Sequence, residues 1–324
     1  MNLDFNESEN ILRSIARDFM EKEFPKKLVR VLEDDPAGYS PEIWGKMADL
    51  GWMGLLIPEK YGGIEGTFMQ LVVLLEEMGR ACFVGPYFST TICTMAVLDA
   101  GSEEQKSRFL PQIAEGKLKL ALALTETQGR FDASDIALKA TAEGQGFTLN
   151  GIKLFVQDAP AADYFLCAGR TRSGTHPEEG ITLFLVDAHS PGIMLTPLIT
   201  MAYDHQCEIT FQNVPVPGES VLGGPDRAWP IIDKLLQKAA VAKCAEMNGG
   251  ADWAVCTSIA YAKERVQYGK PIGSYQAIQH YLADMWTDLG LAKRMTYYAA
   301  WKIDRGLPFD MEASIAKAWV SEMY

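Results

Sequence analysis

The sequence predicts an α+β fold in three parts: an N-terminal all-α domain over 1–117, a middle antiparallel β-barrel or sandwich domain over 118–224, and a C-terminal long-helix bundle over 225–324. Three observations predict it. Apolar residues recur at helical spacing as far as Gly116, the period changes to two near Lys117, and long helical patterns return from Trp229. Strands in a block, with no helices alternating between them, imply antiparallel pairing rather than a nucleotide-binding parallel sheet.

Each element has a local reason. Asn6 with Glu9 makes a capping box, and Ile11, Leu12, Ile15, Ala16, Phe19 and Met20 then form one apolar stripe. Ser40-Pro41 opens a second helix with Ile43, Trp44, Met47 and Leu50 on its buried side and Gly51 at its end. Gly62, Gly63 and Gly66 follow no strand, so they predict a backbone turn rather than a dinucleotide fingerprint. From Phe68 to Phe83 the pattern is apolar nearly all round, which predicts a buried helix. Helices over Ser89 to Ala100 and from the Ser102–Gln105 cap to Ile113 complete the first part. In the middle part Asn150-Gly151 predicts a hairpin turn, because both positions tolerate positive φ. The block ends near Leu222 to Pro225, and helices then run over roughly 229–267, 275–304 and 311 onward.

The charge balance of 30 basic against 42 acidic residues, net −12, argues against nucleic acid or an anionic membrane as partner. No apolar run approaches a membrane span and no signal-peptide core begins the chain, so a cytoplasmic protein is expected. The six cysteines contain no CxxC pair and the four histidines no ligand spacing, so no metal site is expected. The cysteines are expected to be small core residues.

The most informative stretch lies between the two long C-terminal helices. Gly269 suits a helix C-cap, Pro271 prevents the helix from resuming at once, and Ser274 can N-cap the next helix. Lys263 and Arg265 in a last helical turn complement the helix dipole with no ligand present. Arg265, Gln267, Gln276 and His280 around one corner could equally grip a phosphate or pyrophosphate.

The stretch YAKERVQYGKPIGSYQAIQHYLADM, from Tyr261 to Met285, resembles the helix-corner signature of the acyl-CoA dehydrogenase family. The order helices, β domain, helices is similar to that family's three-domain architecture over the whole chain. The resemblance implies an FAD-dependent acyl-CoA dehydrogenase that desaturates a CoA thioester, removing the α-proton while the β-hydrogen leaves as hydride to flavin N5. It further implies an acyl-CoA substrate, electron-transfer flavoprotein as electron acceptor, and a homotetramer or a heterotetramer with a homologous subunit. The alternative is a catalytically silent subunit that completes the FAD site of a paired homologue.

The resemblance also nominates residues toward FAD. Leu122, Leu124 and Thr125 match the family's first strand motif, which borders the flavin ring. Ser134 is the candidate for a pyrophosphate contact, with Arg130 as alternative. Phe155 stands where an aromatic residue lies against the flavin, and Gln157 where a donor can bond N5; an alternating strand would carry both on one side. Arg265 and Gln276, with Gln267 and Tyr268 between them, are expected to reach the FAD of a neighbouring subunit. No catalytic base is assigned: where relatives carry a glutamate or arginine on the helix before Arg265, this chain has Ala239 and Ala240. The Gly249-Gly250 pair predicts either close packing or room for an acyl group, and Ser89, Thr90 and Thr91 are expected on the opposite pocket wall. Family members usually run on beyond the position of Tyr324. The C-terminal part, which carries the catalytic glutamate in most of them, is therefore expected to be absent.

Overall fold

The computed structural model describes residues 4–324. In chain order the helices are α1 (Glu7–Glu23), α2 (Lys26–Glu33), α3 (Pro41–Asp49), α4 (Phe68–Ala81), α5 (Tyr87–Ala100), α6 (Glu103–Ala114), α7 (Trp229–Glu264), α8 (Gln276–Asp304) and α9 (Asp310–Met323). The strands are β1 (Leu120–Ala123), β2 (Lys139–Glu143), β3 (Gly146–Gln157), β4 (Tyr164–Arg170), β5 (Ile181–Asp187), β6 (Ile193–Leu198), β7 (Gln206–Pro217), β8 (Val221–Leu222), β9 (Val266–Gln267) and β10 (Lys270–Pro271). Two compact units result. One comprises Met1–Val29, Gly66–Phe83 and Gln237–Tyr324, the other Arg30–Glu65 and Val84–Leu236.

The second unit is built on an eight-stranded sheet of order β6-β7-β3-β2-β4-β5-β8, with β1 on β4. Its pairing is antiparallel except that β4 runs parallel to β1 and, at one register position, to β2. A wholly antiparallel block is thereby corrected. The core packs Leu138, Leu149, Phe165, Phe184, Ile209 and Phe211, all essentially inaccessible. The predicted Asn150-Gly151 hairpin is also corrected: β3 runs straight through both residues, and its turn with β2 falls after Glu143, which pairs with Gly146. Asn150-Gly151 instead marks an irregularity in the pairing of β3 with β7. Gly151, at φ +147°, lies where an added Cβ would come within 3.1 Å of Leu138, a close approach that favours glycine.

Helices pack on this sheet through specific bonds. Trp44 of α3 donates its indole N–H to the Gly116 carbonyl at 2.7 Å. Ser89 of α5 donates to the Asp158 carboxylate, and Thr90 accepts from the Leu120 amide at 3.2 Å. Tyr87, also on α5, donates its hydroxyl to the Trp52 carbonyl at 3.1 Å. Of the expected pocket-wall hydroxyls, those of Ser89 and Thr90 are thus engaged within the protein.

The first unit is helical. The Asn6–Glu9 capping box opens α1 as predicted. Of its apolar stripe, Ala16 and Met20 are buried, whereas Ile11 and Ile15 are 53 % and 46 % exposed. A second box, Thr67 with Gln70, opens α4; that helix is buried over most of its length, as its all-round apolar pattern requires. The Gly249-Gly250 question resolves in favour of packing. A Cβ on Gly249 would stand 1.8 Å from the Glu76 carbonyl, and one on Gly79 would stand 1.9 Å from that of Glu246. Glycines on both helices let the α4 and α7 backbones touch. Two of the acids on α4 are held from this unit: Arg13 and Arg17 bond Glu77 at 3.2 and 2.7 Å, and the Tyr297 hydroxyl bonds Glu76 at 2.8 Å. Four of the six cysteines are buried, but Cys82 is exposed at the left-handed end of α4.

Candidate functional site

In the sheet unit, β1 ends at Ala123 and the chain continues as Leu124-Thr125-Glu126, beside the far end of β3. The two segments are joined by three bonds. The Leu154 amide donates to the Thr125 carbonyl at 2.8 Å. Lys153 donates to the Leu124 carbonyl at 3.0 Å and to Glu126 at 2.6 Å. The structure therefore brings Leu124 and Thr125 against Lys153 and Leu154, next to Phe155, while Leu122 lies in β1 beside Leu166 and Gln157 at the end of β3 beside Gln206.

The local geometry differs from a simple strand. Lys153 pairs with Ile209 and Val156 with Cys207, so one extra residue bulges from β3. Phe155 lies in this bulge at φ +53°, a conformation uncommon for a bulky side chain. Lys153 and Val156 are both buried, whereas the Phe155 ring is 54 % exposed and Gln157 is half-buried. The bulge breaks the alternation between Lys153 and Val156, both of which face inward, while Phe155 and Gln157 flank the buried Val156. Among the described residues neither the Thr125 hydroxyl nor the Gln157 amide has a hydrogen-bond partner in the chain.

Ser134 lies in the 3-10 turn Ala133–Asp135, exposed, its hydroxyl 3.4 Å from the Asp135 carboxylate. Arg130 is exposed in the same connection. Arg170 wires that loop from below, donating to the carbonyls of Ala133 at 2.6 Å and Ile136 at 2.9 Å. Burial, its largest influence, pushes the Arg170 guanidinium below its ordinary pKa, and Glu126 acts in the opposite direction. Asp135 is buried, with one carboxylate oxygen lacking any partner among the described residues.

The corner in the helical unit differs from a capped helix end. α7 stops at Glu264 rather than 267, and Val266–Gln267 pair antiparallel with Lys270–Pro271. Gly269, at φ +79°, is the second residue of a two-residue hairpin turn with Tyr268 at φ +51°. Positive φ at both positions is a type I′ arrangement, so Gly269 is not a helix C-cap. Nor does Ser274 cap α8. It sits in a 3-10 turn and donates to the Pro271 carbonyl at 2.8 Å. The hairpin is held by the Tyr275 hydroxyl on the Gln267 carbonyl at 3.1 Å and by Gln279 on the Gly273 carbonyl at 2.9 Å. Arg265, Gln267, Tyr268, Gln276 and His280 all remain exposed. Among the described residues, the side chains of Arg265, Gln267, Gln276 and His280 bond to no other group.

The helix before the corner has no ionisable group at Ala239 or Ala240, and nearby Glu246 is paired with Lys243 at 2.7 Å. The buried Lys153–Glu126 pair and the hairpin were missed at the sequence level. Lys153 carried a usable signal, because it shares strand parity with inward-facing Leu149 and a buried lysine demands an acidic partner. Among the described residues no helix is long and apolar enough to cross a membrane, and no group of His, Cys, Asp and Glu is placed to hold a metal ion.

Taken separately, the exposed aromatic ring with the unbonded hydroxyl and amide of the sheet unit suits a planar apolar ring system, and the exposed guanidinium among amides at the corner of the helical unit suits a phosphate. Three family profiles match the chain in order: the acyl-CoA dehydrogenase N-terminal domain over residues 6–117, the middle domain over 121–214 and the C-terminal domain over 226–324. The C-terminal match corrects the expectation that this part is absent. The chain is 35 % identical to a 3-(aryl)acrylate reductase of Clostridium sporogenes, over 98 % of its own length and 85 % of the relative's. It is 34 % identical to the caffeyl-CoA reductase-Etf complex subunit CarC of Acetobacterium woodii, over 98 % of this chain and 85 % of that one. The structure of butyryl-CoA dehydrogenase from Megasphaera elsdenii superposes with a TM-score of 0.91 at 30 % identity, covering 100 % of this chain and 86 % of that one.

Proposed function

We propose, from the premise that the chain belongs to the acyl-CoA dehydrogenase family, that it carries out α,β-desaturation of a CoA thioester. It is an oxidoreductase, and its cofactor is FAD. The observation that carries the reading is the surface at Thr125, Phe155 and Gln157, where two separate motifs are bonded into one patch with its donors uncommitted.

Leu122, Leu124, Thr125, Phe155 and Gln157 would hold the ring system, and Ser134 or Arg130 the pyrophosphate. Arg265, Gln267, Tyr268 and Gln276 would serve the cofactor of a neighbouring protomer. When bound, FAD supplies the acceptor for the β-hydride. The protein's task is to orient the thioester, exclude water and stabilise the negative charge that develops as the weakly acidic α-proton leaves. The corresponding division is a helical domain over 1–117, a β domain over 118–224 and a helical bundle over 225–324, in a cytoplasmic homotetramer or heterotetramer that passes electrons to an electron-transfer flavoprotein.

Two observations support further readings. The relatives from Clostridium and Acetobacterium are named reductases; the same chemistry run backwards would saturate an enoyl thioester. Ala239 and Ala240 favour a silent subunit that completes a homologue's site. Anaerobic titration of the FAD-loaded protein separates all three. Bleaching of the visible absorbance by acyl-CoA esters is expected for the dehydrogenase, and reoxidation of the dithionite-reduced protein by enoyl-CoA esters for the reductase. Indifference to both, relieved only by adding a homologous subunit, would overturn the catalytic readings.

A further inference from the structure

A buried charge pair beside the Thr125–Phe155 patch has a role that its contribution to stability does not explain. Lys153 is 0 % exposed and Glu126 7 %. The Glu126 carboxylate accepts from Lys153 at 2.6 Å, from the Ala137 amide at 3.0 Å and from the Leu138 amide at 3.0 Å. Lys153 also donates to the Leu124 carbonyl at 3.0 Å. Three stretches distant in sequence, 124–126, 137–138 and 153–155, thus meet at one ion pair.

Desolvating two charges offsets most of their attraction, so apolar side chains of similar size would hold a core equally well. What apolar contacts would lack is direction. The ammonium aims Lys153 at two fixed acceptors, and the carboxylate receives two backbone amides whose chain leads directly into β2. Phe155, two residues beyond Lys153, is at φ +53°. A bulky residue persists in such a conformation only where its surroundings over-determine it, and such strain gathers at working surfaces. The bond from the Leu154 amide to the Thr125 carbonyl lies between the pair and the strained residue.

We propose that the Lys153–Glu126 pair is a positioning device for the cofactor-facing patch: it sets the bulge that presents the Phe155 ring and fixes the Thr125 hydroxyl beside it. This rests on the FAD reading above. Neither residue is assigned contact with the cofactor; each acts through the backbone it holds.

The test uses the full chain loaded with FAD. Its readouts are the FAD dissociation constant by flavin fluorescence and the visible circular dichroism of the bound flavin, compared with the melting temperature. The variants are Glu126→Gln, the double change Glu126→Gln with Lys153→Met, and, as a core control in the helical unit, Leu71→Ala on α4. The expected result is that the double variant folds, binds FAD at least about tenfold more weakly and changes its visible dichroism, while Leu71→Ala lowers the melting temperature and leaves the dichroism intact. Unchanged affinity and dichroism in both pair variants would overturn the proposal. So would failure of both to fold, which would make the pair a folding element. If the unaltered chain takes up no FAD, the FAD reading fails instead, and the two results cannot be confused.

Discussion

Glu76 shows how far burial can move one residue. It is 3 % exposed on α4, and burial pushes its carboxyl from 4.5 up to about 7, opposed by Lys293, the Tyr297 hydrogen bond and Arg13, and reinforced by Glu77. The folded state therefore holds a proton that the unfolded chain releases between those two values. The contribution to stability is full below pH 4.5 and is lost as the pH rises through about 7, amounting to about 3 kcal/mol across that window. Melting temperature against pH should fall over this range, and Glu76→Gln should flatten that dependence; an unchanged slope would show that Glu76 is ionised throughout. Arg265 makes a different prediction. Its guanidinium is exposed and bonds to no other described residue, so Arg265→Ala should change the stability of the apoprotein by no more than about 0.5 kcal/mol. The same change should lower the flavin retained on purification, and Arg265→Lys should restore little, because a lysine lacks the planar fork. Retention equal to the parent in both variants would remove Arg265 from the site.

At the scale of elements, the close crossing of α4 and α7 depends on atoms that are not there. Because a Cβ on Gly249 would stand only 1.8 Å from the Glu76 carbonyl oxygen, Gly249→Ala should force the helices apart and destabilise by about 1–3 kcal/mol or more. Gly290, which has no atom within 4 Å of an added Cβ, is the control, where alanine should be neutral or stabilising through helix propensity. Equal melting temperatures for the two variants would contradict the packing account. Helix starts were legible because capping is local: Asn6 with Glu9 and Ser102 with Gln105 carry their partners within one turn. Asn150-Gly151 misled because its signal, tolerance of positive φ, is shared by a turn and by a strand passing close over Leu138. Tyr268-Gly269 misled in the opposite direction, since one glycine ends a helix as readily as it completes a type I′ hairpin.

For the whole molecule, the change from helical period to period two and back placed the sheet correctly between helices, while the parallel seating of β1 on β4 lay beyond reach. Leu120 pairs with Tyr164, and no local pattern reports a partner that distant. The candidate patch was legible residue by residue through its motifs, but not as a patch: Lys153 and Glu126 join its halves across 27 positions. The central claim is that this fold carries FAD on the surface at Thr125, Phe155 and Gln157, served by the Arg265 corner of a neighbouring protomer. The most direct measurement mixes two inactive variants, Arg265→Ala and Gln157→Ala combined with Thr125→Ala, dissociates and reassembles them, and reads bound flavin by its visible absorbance. Recovery of flavin in the mixed assembly above the level of either variant alone is the predicted result. Flavin no higher than in the separate variants, with mixed assemblies shown to form, would contradict the claim.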